Sequence, residues 1–342
     1  MTELGDFTES PSSCFSPDKT KKSPMCTQLR KGMWYFAGLI APFVLLSCSP
    51  GVQPLANIPD TTSAATVIPT STPQPGSWRV VGVYNADQSI MTAGFLDEAH
   101  VATGGVMGQM GYSKDGAQTW LITNSMADCR YGLEIVSPDL IWTCGGATHV
   151  RRSIDGGKTW QLLANFGDPH SIRGPCYSAS FLDENTGWLA NSNLFGTTTD
   201  GGISWNMRAL SETARKIATI DTYAPGEGYL LDQAGVLFFT QDDGQRWNEV
   251  SHLDLDDFVF PPSAYQLAAM RFSDSRHGLI VLASSPYGKP TPVIAFHTQD
   301  GGETWTSETI PVLAGPVYLA REGGYLTVIT GVNQLTLLKY QE

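Results

Sequence analysis

Short runs of alternating apolar and polar residues, separated by clusters of Asp, Asn, Gly and Ser, extend from about residue 78 to the end of the chain. Ser178–Asn193 (SASFLDENTGWLANSN) shows the unit clearly, as two strand patterns joined by a polar turn. Looser versions occupy Ala93–Gly105, Leu133–Gly146, Asp221–Asp232 and Met270–Leu282. Alternation with a period of two predicts β-strands, and the polar clusters predict tight turns.

Each of these strand pairs is followed by a near copy of one eight-residue segment, which we call the box. The copies end at Trp120, Trp160, Trp205, Trp247 and Trp305, and they share an aspartate at Asp115, Asp155, Asp200, Asp242 and Asp300. A recurrence at a period of roughly 40 residues predicts a propeller or solenoid. The fold expected is therefore all-β.

The chemistry of the box is that of a turn. In Ser153–Trp160 (SIDGGKTW), we expect Asp155 to accept hydrogen bonds from amides of its own turn, and Thr159 to bond locally. Gly157 would supply a backbone conformation that a Cβ disfavours. Trp160 would begin the next strand and pack between sheets. These roles are structural and indicate no reaction.

The pattern S/T-x-D-x-G-x-T/S-W resembles the Asp-box (BNR) repeat of sialidases, sortilin-type receptors and photosystem II assembly/stability factors. The first box departs from it at Ala117 and the fourth at Arg246. The segment FLDENTGW at 181–188 looks especially like the photosystem II factors. This resemblance implies a β-propeller with a scaffold or assembly role, in which one face docks a protein or peptide partner.

Five boxes nevertheless predict six blades, with seven as the alternative. Trp78 lies about one repeat before Trp120 but follows no box, whereas strand patterns at Val317–Ala320, Tyr325–Thr330 and Leu335–Tyr340 follow the last box. We expect a strand near Trp78–Tyr84 to complete the last blade, since ring closure removes open sheet edges.

The N-terminal region is typical of an exported lipoprotein. Met33–Leu46 is apolar, follows Arg30-Lys31, and has the length of a signal-peptide core. The Ser47-Cys48 that follows resembles a lipobox, which makes Cys48 the predicted lipidation site. We predict a signal peptide at 1–47, with Met25 as an alternative start, a Thr/Ser/Pro-rich tether at 48–77 and a propeller at 78–342. The product would be an extracytoplasmic, membrane-anchored monomer.

The net charge limits the kinds of partner that the protein can bind, and the cysteines allow a disulfide to be predicted. The formal net charge is −12, so the surface repels nucleic acid, which we exclude as a partner. An exported domain can form disulfides. Aligning the repeats places Cys129 and Cys176 at the innermost strands of adjacent blades, so we predict a Cys129–Cys176 bridge with Cys144 buried and free.

The predicted ligand face is the one opposite the boxes, because it collects the longer loops. Its candidate binding residues are Arg130, Arg173, Arg215, Lys216, Asp254, Asp256, Tyr265 and Tyr287. The resemblance to the photosystem II factors implies an arginine-rich docking patch, which only Arg130, Arg173, Arg215 and Lys216 could form here.

The alternative function is a glycoside hydrolase acting on extracellular glycans. A sialidase would need three convergent arginines, and Arg130, Arg173, Arg215 and Arg271 lie near predicted inner-strand starts, but the Arg-Ile-Pro segment of sialidases is missing. Another Asp-box glycosidase could pair two of the loop acids Asp128, Asp168, Asp232, Asp254 and Asp256. A binding module predicts no buried carboxylate pair with strongly shifted pKa values in the central cleft, whereas a hydrolase predicts at least two acids that face each other across it. The histidine spacing suggests no metal site, and no cofactor is predicted. We therefore predict a non-catalytic binding module.

Overall fold

The computed structural model describes residues 77–86, 88–105, 108–125, 130–145, 149–165, 176–191, 194–209, 216–255, 268–283, 292–313, 315–321, 324–331 and 333–341. These residues form 24 β-strands, which are arranged in six four-stranded antiparallel sheets.

Each sheet is one blade, and its strands follow the chain from the inside of the ring outward. Blade 1 comprises β2 (Thr92–Phe95), β3 (Val101–Gly104), β4 (Gln109–Ser113) and β5 (Leu121–Asn124). Blade 2 comprises β6 (Arg130–Ile135), β7 (Ile141–Gly145), β8 (His149–Ser153) and β9 (Gln161–Asn165). Blade 3 comprises β10 (Ser178–Phe181), β11 (Gly187–Ala190), β12 (Leu194–Thr198) and β13 (Asn206–Ala209).

The second half of the ring repeats this order. Blade 4 comprises β14 (Ile217–Ala224), β15 (Glu227–Asp232), β16 (Val236–Thr240) and β17 (Asn248–His252). Blade 5 comprises β18 (Ala268–Phe272), β19 (Gly278–Ala283), β20 (Pro292–Thr298) and β21 (Thr306–Leu313). Blade 6 comprises β22 (Val317–Leu319), β23 (Tyr325–Ile329) and β24 (Gln334–Gln341), with β1 (Ser77–Asn85) as its outer strand.

The ring closes as the sequence predicted. Strand β1 pairs with β24, from Ser77 opposite Gln341 to Asn85 opposite Gln334. The inner strands β2, β6, β10, β14, β18 and β22 each contact the next, and β22 contacts β2. The prediction of a six-bladed propeller closed by an N-terminal strand is therefore confirmed.

Aromatic residues from neighbouring blades form the core between them. Trp142 of blade 2 stacks on Phe181 of blade 3 with ring centroids 4.0 Å apart, and Trp205, the box tryptophan of blade 3, meets Phe181 edge-on at 6.3 Å. One sheet cannot bury both of its faces alone, so this packing explains why the repeats assemble into a ring.

The box has the predicted turn geometry. Ser153 Oγ donates to Asp155 Oδ1 (2.8 Å) and accepts from the Gly157 amide (2.8 Å). Asp155 also accepts from the Thr159 amide (2.9 Å) and hydroxyl (2.6 Å). In the fourth box, Arg246 keeps the amide bond to Asp242 (2.8 Å), but its side chain has no hydroxyl to donate.

The boxes and the turns between first and second strands lie on one face of the ring, as predicted. Amides of the boxes donate to carbonyls of these turns, from Gly156 to Asp139 (3.0 Å), from Gly201 to Asn185 (2.9 Å) and from Gly301 to Arg276 (2.8 Å). We call this side the box face.

The predicted Cys129–Cys176 disulfide is wrong, because Cys176 pairs with Cys144. The bridge does join adjacent blades, since Cys144 lies on β7 and Cys176 precedes β10. Gly132 lies opposite Cys144 in the sheet, and a Cβ there would come within 2.5 Å of the Cys144 sulfur, so the glycine leaves the space that the sulfur needs. Cys129 lies outside the described residues.

Candidate functional site

The predicted binding face can be followed only in part. Arg130 begins β6, Lys216 directly precedes β14 and is exposed, and Asp254 follows β17 and is exposed. Arg173, Arg215, Asp256, Tyr265 and Tyr287 lie outside the described residues, as does Cys48. The proposed docking patch therefore stays a prediction.

A set of polar residues from five blades meets instead at the centre of the ring. We call it the central belt, and it consists of Glu134, Ser180, Asp221, Arg271 and Arg321. Four of its members occupy the same register position of consecutive inner strands, as shown by their partners on the second strands: Glu134 opposite Trp142, Ser180 opposite Trp188, Asp221 opposite Tyr229 and Arg271 opposite Leu279. The repeat therefore brings them to one level of the channel, near the box face.

Arg271 joins opposite sides of the channel. Its Nη1 donates to Asp221 Oδ1 (2.8 Å), and its Nη2 makes a short contact with Glu134 Oε2. Burial alone would lower the pKa of Arg271, but the charges of Glu134 and Asp221 raise it. The guanidinium thus remains charged between two carboxylates, whose side chains are 1% and 0% exposed.

Arg321 adds a second cation to the central belt. Its Nε lies 3.4 Å from Glu134 Oε1, its Nη1 donates to the Thr222 carbonyl (3.0 Å), and its Nη2 donates to Ser180 Oγ (2.9 Å). Ser180 Oγ in turn donates to Asp221 Oδ1 (2.9 Å), whose other oxygen accepts from the Phe272 amide (2.7 Å). Two arginines therefore balance two carboxylates.

This arrangement is suited to holding blades together rather than to acid–base catalysis. A glycosidase needs one carboxyl group that can protonate a leaving group and a second that faces the sugar. Glu134 instead forms ion pairs with Arg271 and Arg321. Asp221 forms an ion pair with Arg271 and also accepts hydrogen bonds from other groups of the protein. Of the predicted hydrolase acids, Asp232 accepts from the Ala234 and Val236 amides of its own turn, whereas Asp128, Asp168 and Asp256 lie outside the described residues.

The prediction that Arg271 lies near the start of an inner strand is wrong. Arg271 is the fourth residue of β18, and its partners Glu134 and Asp221 are inner-strand residues. The signal that could have found them is a charged residue within an otherwise apolar inner strand, recurring at one position when the repeats are aligned.

Two spaces adjoin the central belt, and they differ greatly in size. A cavity of about 50 Å³ lies in the channel against Gly132, Ser178, Thr219 and Met270. It holds no more than one or two water molecules. A groove of about 970 Å³ lies between blades 5 and 6, which is in the size range of ligand sites.

The groove extends from the central belt to the outer part of the ring. Arg271 and Arg321 line its inner end, whereas His297, Glu308 and Tyr340 line its outer part. His297 Nε2 bonds to Glu308 Oε1 (2.8 Å), and the His297 ring lies 4.8 Å from that of Tyr340. The lining therefore combines internally paired polar groups with aromatic and aliphatic surface.

The described part of the chain contains no group of three or more His, Cys, Asp or Glu side chains that could hold a metal ion. It also contains no helix with the length and apolar character needed to cross a membrane.

Comparison with known sequences gives two matches. Residues 170–271 match the family model described as photosynthesis system II assembly factor YCF48. The chain is 29% identical over 155 residues to the photosystem II assembly lipoprotein Ycf48 of Synechococcus sp. (strain CC9902), a match that covers 44% of this chain. It spans only 42% of that relative's length.

Comparison with one solved structure of TM-score above 0.5 supports the fold. The RRP9 WD40 repeats align with a TM-score of 0.53 at 8% identity, covering 78% of this chain and 99% of that one. YCF48 bound to D1 peptide aligns with a TM-score of 0.48 at 16% identity, covering 81% of this chain and 100% of that one. The five boxes, the closed six-bladed ring and the sequence matches together show an Asp-box β-propeller that is similar to the photosystem II assembly factors.

Proposed function

We propose that this protein is an exported, lipid-anchored scaffold that binds a protein or peptide partner during photosystem II assembly. The observation that carries the proposal is the match of residues 170–271 to the photosystem II assembly factor model. The relative from Synechococcus is named for the same process.

The geometry of the channel favours binding over hydrolysis. Its two buried carboxylates are held by Arg271 and Arg321, so neither is available as a general acid or as a nucleophile. A rigid ring with fixed blades presents loops in a constant arrangement, which is the property that a docking scaffold requires.

The docking surface proposed is the loop face that carries Arg130, Arg173, Arg215 and Lys216. Most of the chain is acidic, with 33 Asp and Glu against 21 Lys and Arg, so a local basic patch would select an acidic or carboxylate-bearing peptide.

Binding can be tested with the purified full chain and a D1 peptide, the ligand named with one of the solved structures. We expect saturable binding that the double variant Arg173→Glu, Arg215→Glu weakens at least tenfold. Lys158→Glu, an exposed charge change in the second box, is the matched control and should bind normally. Equal binding by all three proteins would contradict the proposed surface.

The same full chain should be assayed on a glycoside panel. Turnover of any glycoside by the wild type would contradict the non-catalytic proposal and would favour the hydrolase alternative. Absence of turnover together with D1-peptide binding would support the scaffold.

Lipid anchoring at Cys48 is proposed from the lipobox-like Ser47-Cys48, and the Synechococcus relative is itself named a lipoprotein. Mass spectrometry of the membrane-extracted protein should find a mature chain that begins at a modified Cys48. A mature chain carrying unmodified Cys48 would contradict the anchor, and Cys48→Ser should release the protein from the membrane fraction.

A further inference from the structure

The boxes of blades 2, 3 and 5 each pack against the preceding blade. A Cβ on Gly157, three residues before Trp160, would lie 3.2 Å from Tyr112 Cβ of blade 1. A Cβ on the corresponding Gly202 would lie 3.3 Å from the Trp142 ring of blade 2, and a Cβ on Gly302 would lie 2.4 Å from the Leu237 side chain of blade 4. The box is therefore a wedge between neighbouring blades on the box face.

Blade 6 differs because no box joins its third and fourth strands. The third strand, β24, ends at Gln341, whereas the fourth strand, β1, begins at Ser77 and comes from the other end of the domain. The position that a sixth box would take is between blades 5 and 6, and the 970 Å³ groove lies there.

The register of strand pairing shows that the groove lies at the position of the missing sixth box. His297 pairs with Thr306, the residue after Trp305, just as Tyr112 pairs with Leu121, the residue after Trp120. His297 thus corresponds to Tyr112, which a box glycine contacts, and His297 lines the groove.

The residues that begin β1 correspond to the end of a box. Ser77-Trp78 matches the T/S-W that ends the pattern, and Trp78 packs with Ala295 and Ile310 of blade 5, as Trp305 packs with Leu237 of blade 4. Ser77, the first described residue of this strand, therefore occupies the position at which a box ends. The four residues before it are Pro73, Gln74, Pro75 and Gly76.

We propose that the segment 73–76 of this chain binds in the groove between blades 5 and 6 and serves as the wedge that a box provides elsewhere. Because the segment is covalently attached to Ser77, its effective concentration at the groove is high. An external peptide would have to be present above that concentration to displace it. The two prolines restrict the unbound segment to fewer conformations, so the segment loses less conformational entropy when it binds.

The correspondence predicts which atoms are neighbours. Pro75 is three residues before Trp78, as Gly157 is three before Trp160, so its Cβ should lie near that of His297. Disulfides form when Cβ atoms are about 3.5–4.5 Å apart. Full-length protein with Cys14, Cys26, Cys48 and Cys129 changed to Ser, and carrying Pro75→Cys and His297→Cys, should form an intramolecular disulfide in most molecules under mild oxidation.

The control pairs Pro75→Cys with His252→Cys, an exposed position at the end of β17 in blade 4. Peptide mapping should find the disulfide between the cysteines introduced at positions 75 and 297 at a yield at least fivefold above the control disulfide. Equal yields would overturn the proposal. If His297→Cys alone lowers the melting temperature because the Glu308 bond is lost, Thr306→Cys replaces it in the same comparison, since Thr306 pairs with His297, lines the same groove and leaves that bond in place.

Discussion

At the scale of single residues, the box aspartates stabilise their turns more strongly in the charged form than in the neutral form. The Ser204 hydroxyl and amide donate to Asp200 and lower its pKa to about 2, and Thr304 does the same for Asp300. An unfolded Asp titrates near pH ~4. The contribution of these carboxylates to the free energy of unfolding is therefore fully present above about pH 4 and is lost as the pH falls towards about 2.

We accordingly expect the urea concentration at the midpoint of unfolding to decrease as the pH is lowered from about 4 to about 2, with all other conditions kept the same. The variant Asp200→Asn should be less stable than the wild type at neutral pH and should lose less stability across this acid range. Urea unfolding followed by tryptophan fluorescence at several pH values measures both effects. A wild-type midpoint that does not change below pH ~4 would contradict the assignment.

The backbone of Ala117 is strained in the first box, because its φ is 63° at a position where the other four boxes all have glycine. An L-residue in the left-handed region costs roughly 1–2 kcal/mol relative to glycine. Ala117→Gly should therefore raise the free energy of unfolding by about 1 kcal/mol in denaturant unfolding. The reverse change Gly157→Ala is the control and should destabilise, since φ is 77° and Tyr112 Cβ is close.

At the scale of elements, the central belt couples inner strands that are far apart in the chain. Arg271→Met would leave Glu134 and Asp221 buried without their shared cation, so we expect a loss of about 3–5 kcal/mol in the free energy of unfolding. Adding Asp221→Asn to this variant should recover part of the loss. Chemical denaturation of the single and double variants tests the coupling.

Arg271→Lys separates charge from geometry at the same position. A single ammonium cannot form the fork of bonds with which the guanidinium reaches both carboxylates. This variant should lie between the wild type and Arg271→Met in stability. A lysine variant as stable as the wild type would show that charge alone suffices.

The strands, boxes and closing strand could be predicted because each depends on local patterns: alternation, the Asp-Gly turn of Ser153–Trp160 and the position of Trp78. The central belt could not, since Glu134 and Arg271 meet through the curvature of the whole ring rather than through neighbouring sequence. The disulfide partner was missed for a similar reason. The space beside Gly132 that admits Cys144 is visible only when β6 and β7 are paired.

At the scale of the whole molecule, stability depends on closing the ring with strands from both ends of the domain. Trp78 of β1 is 7% exposed and packs in one cluster with residues of blades 5 and 6, among them Ile310 and Leu338. The ring of Tyr340 lies 5.2 Å from it. This side chain therefore links the closing strand to two blades at once.

Trp78→Ala should cost about 3–5 kcal/mol in the free energy of unfolding, because it removes a large buried side chain at the closure. We also expect faster amide hydrogen exchange in β1, β24 and β21, since opening at this junction exposes the edges of blades 5 and 6 before the rest of the ring. Leu162→Ala, on the outer strand of blade 2 with 44% exposure, is the control and should change stability by less than about 0.5 kcal/mol. If exchange in Trp78→Ala increased equally in all six blades, the ring would unfold as one unit and closure would not be its point of first opening.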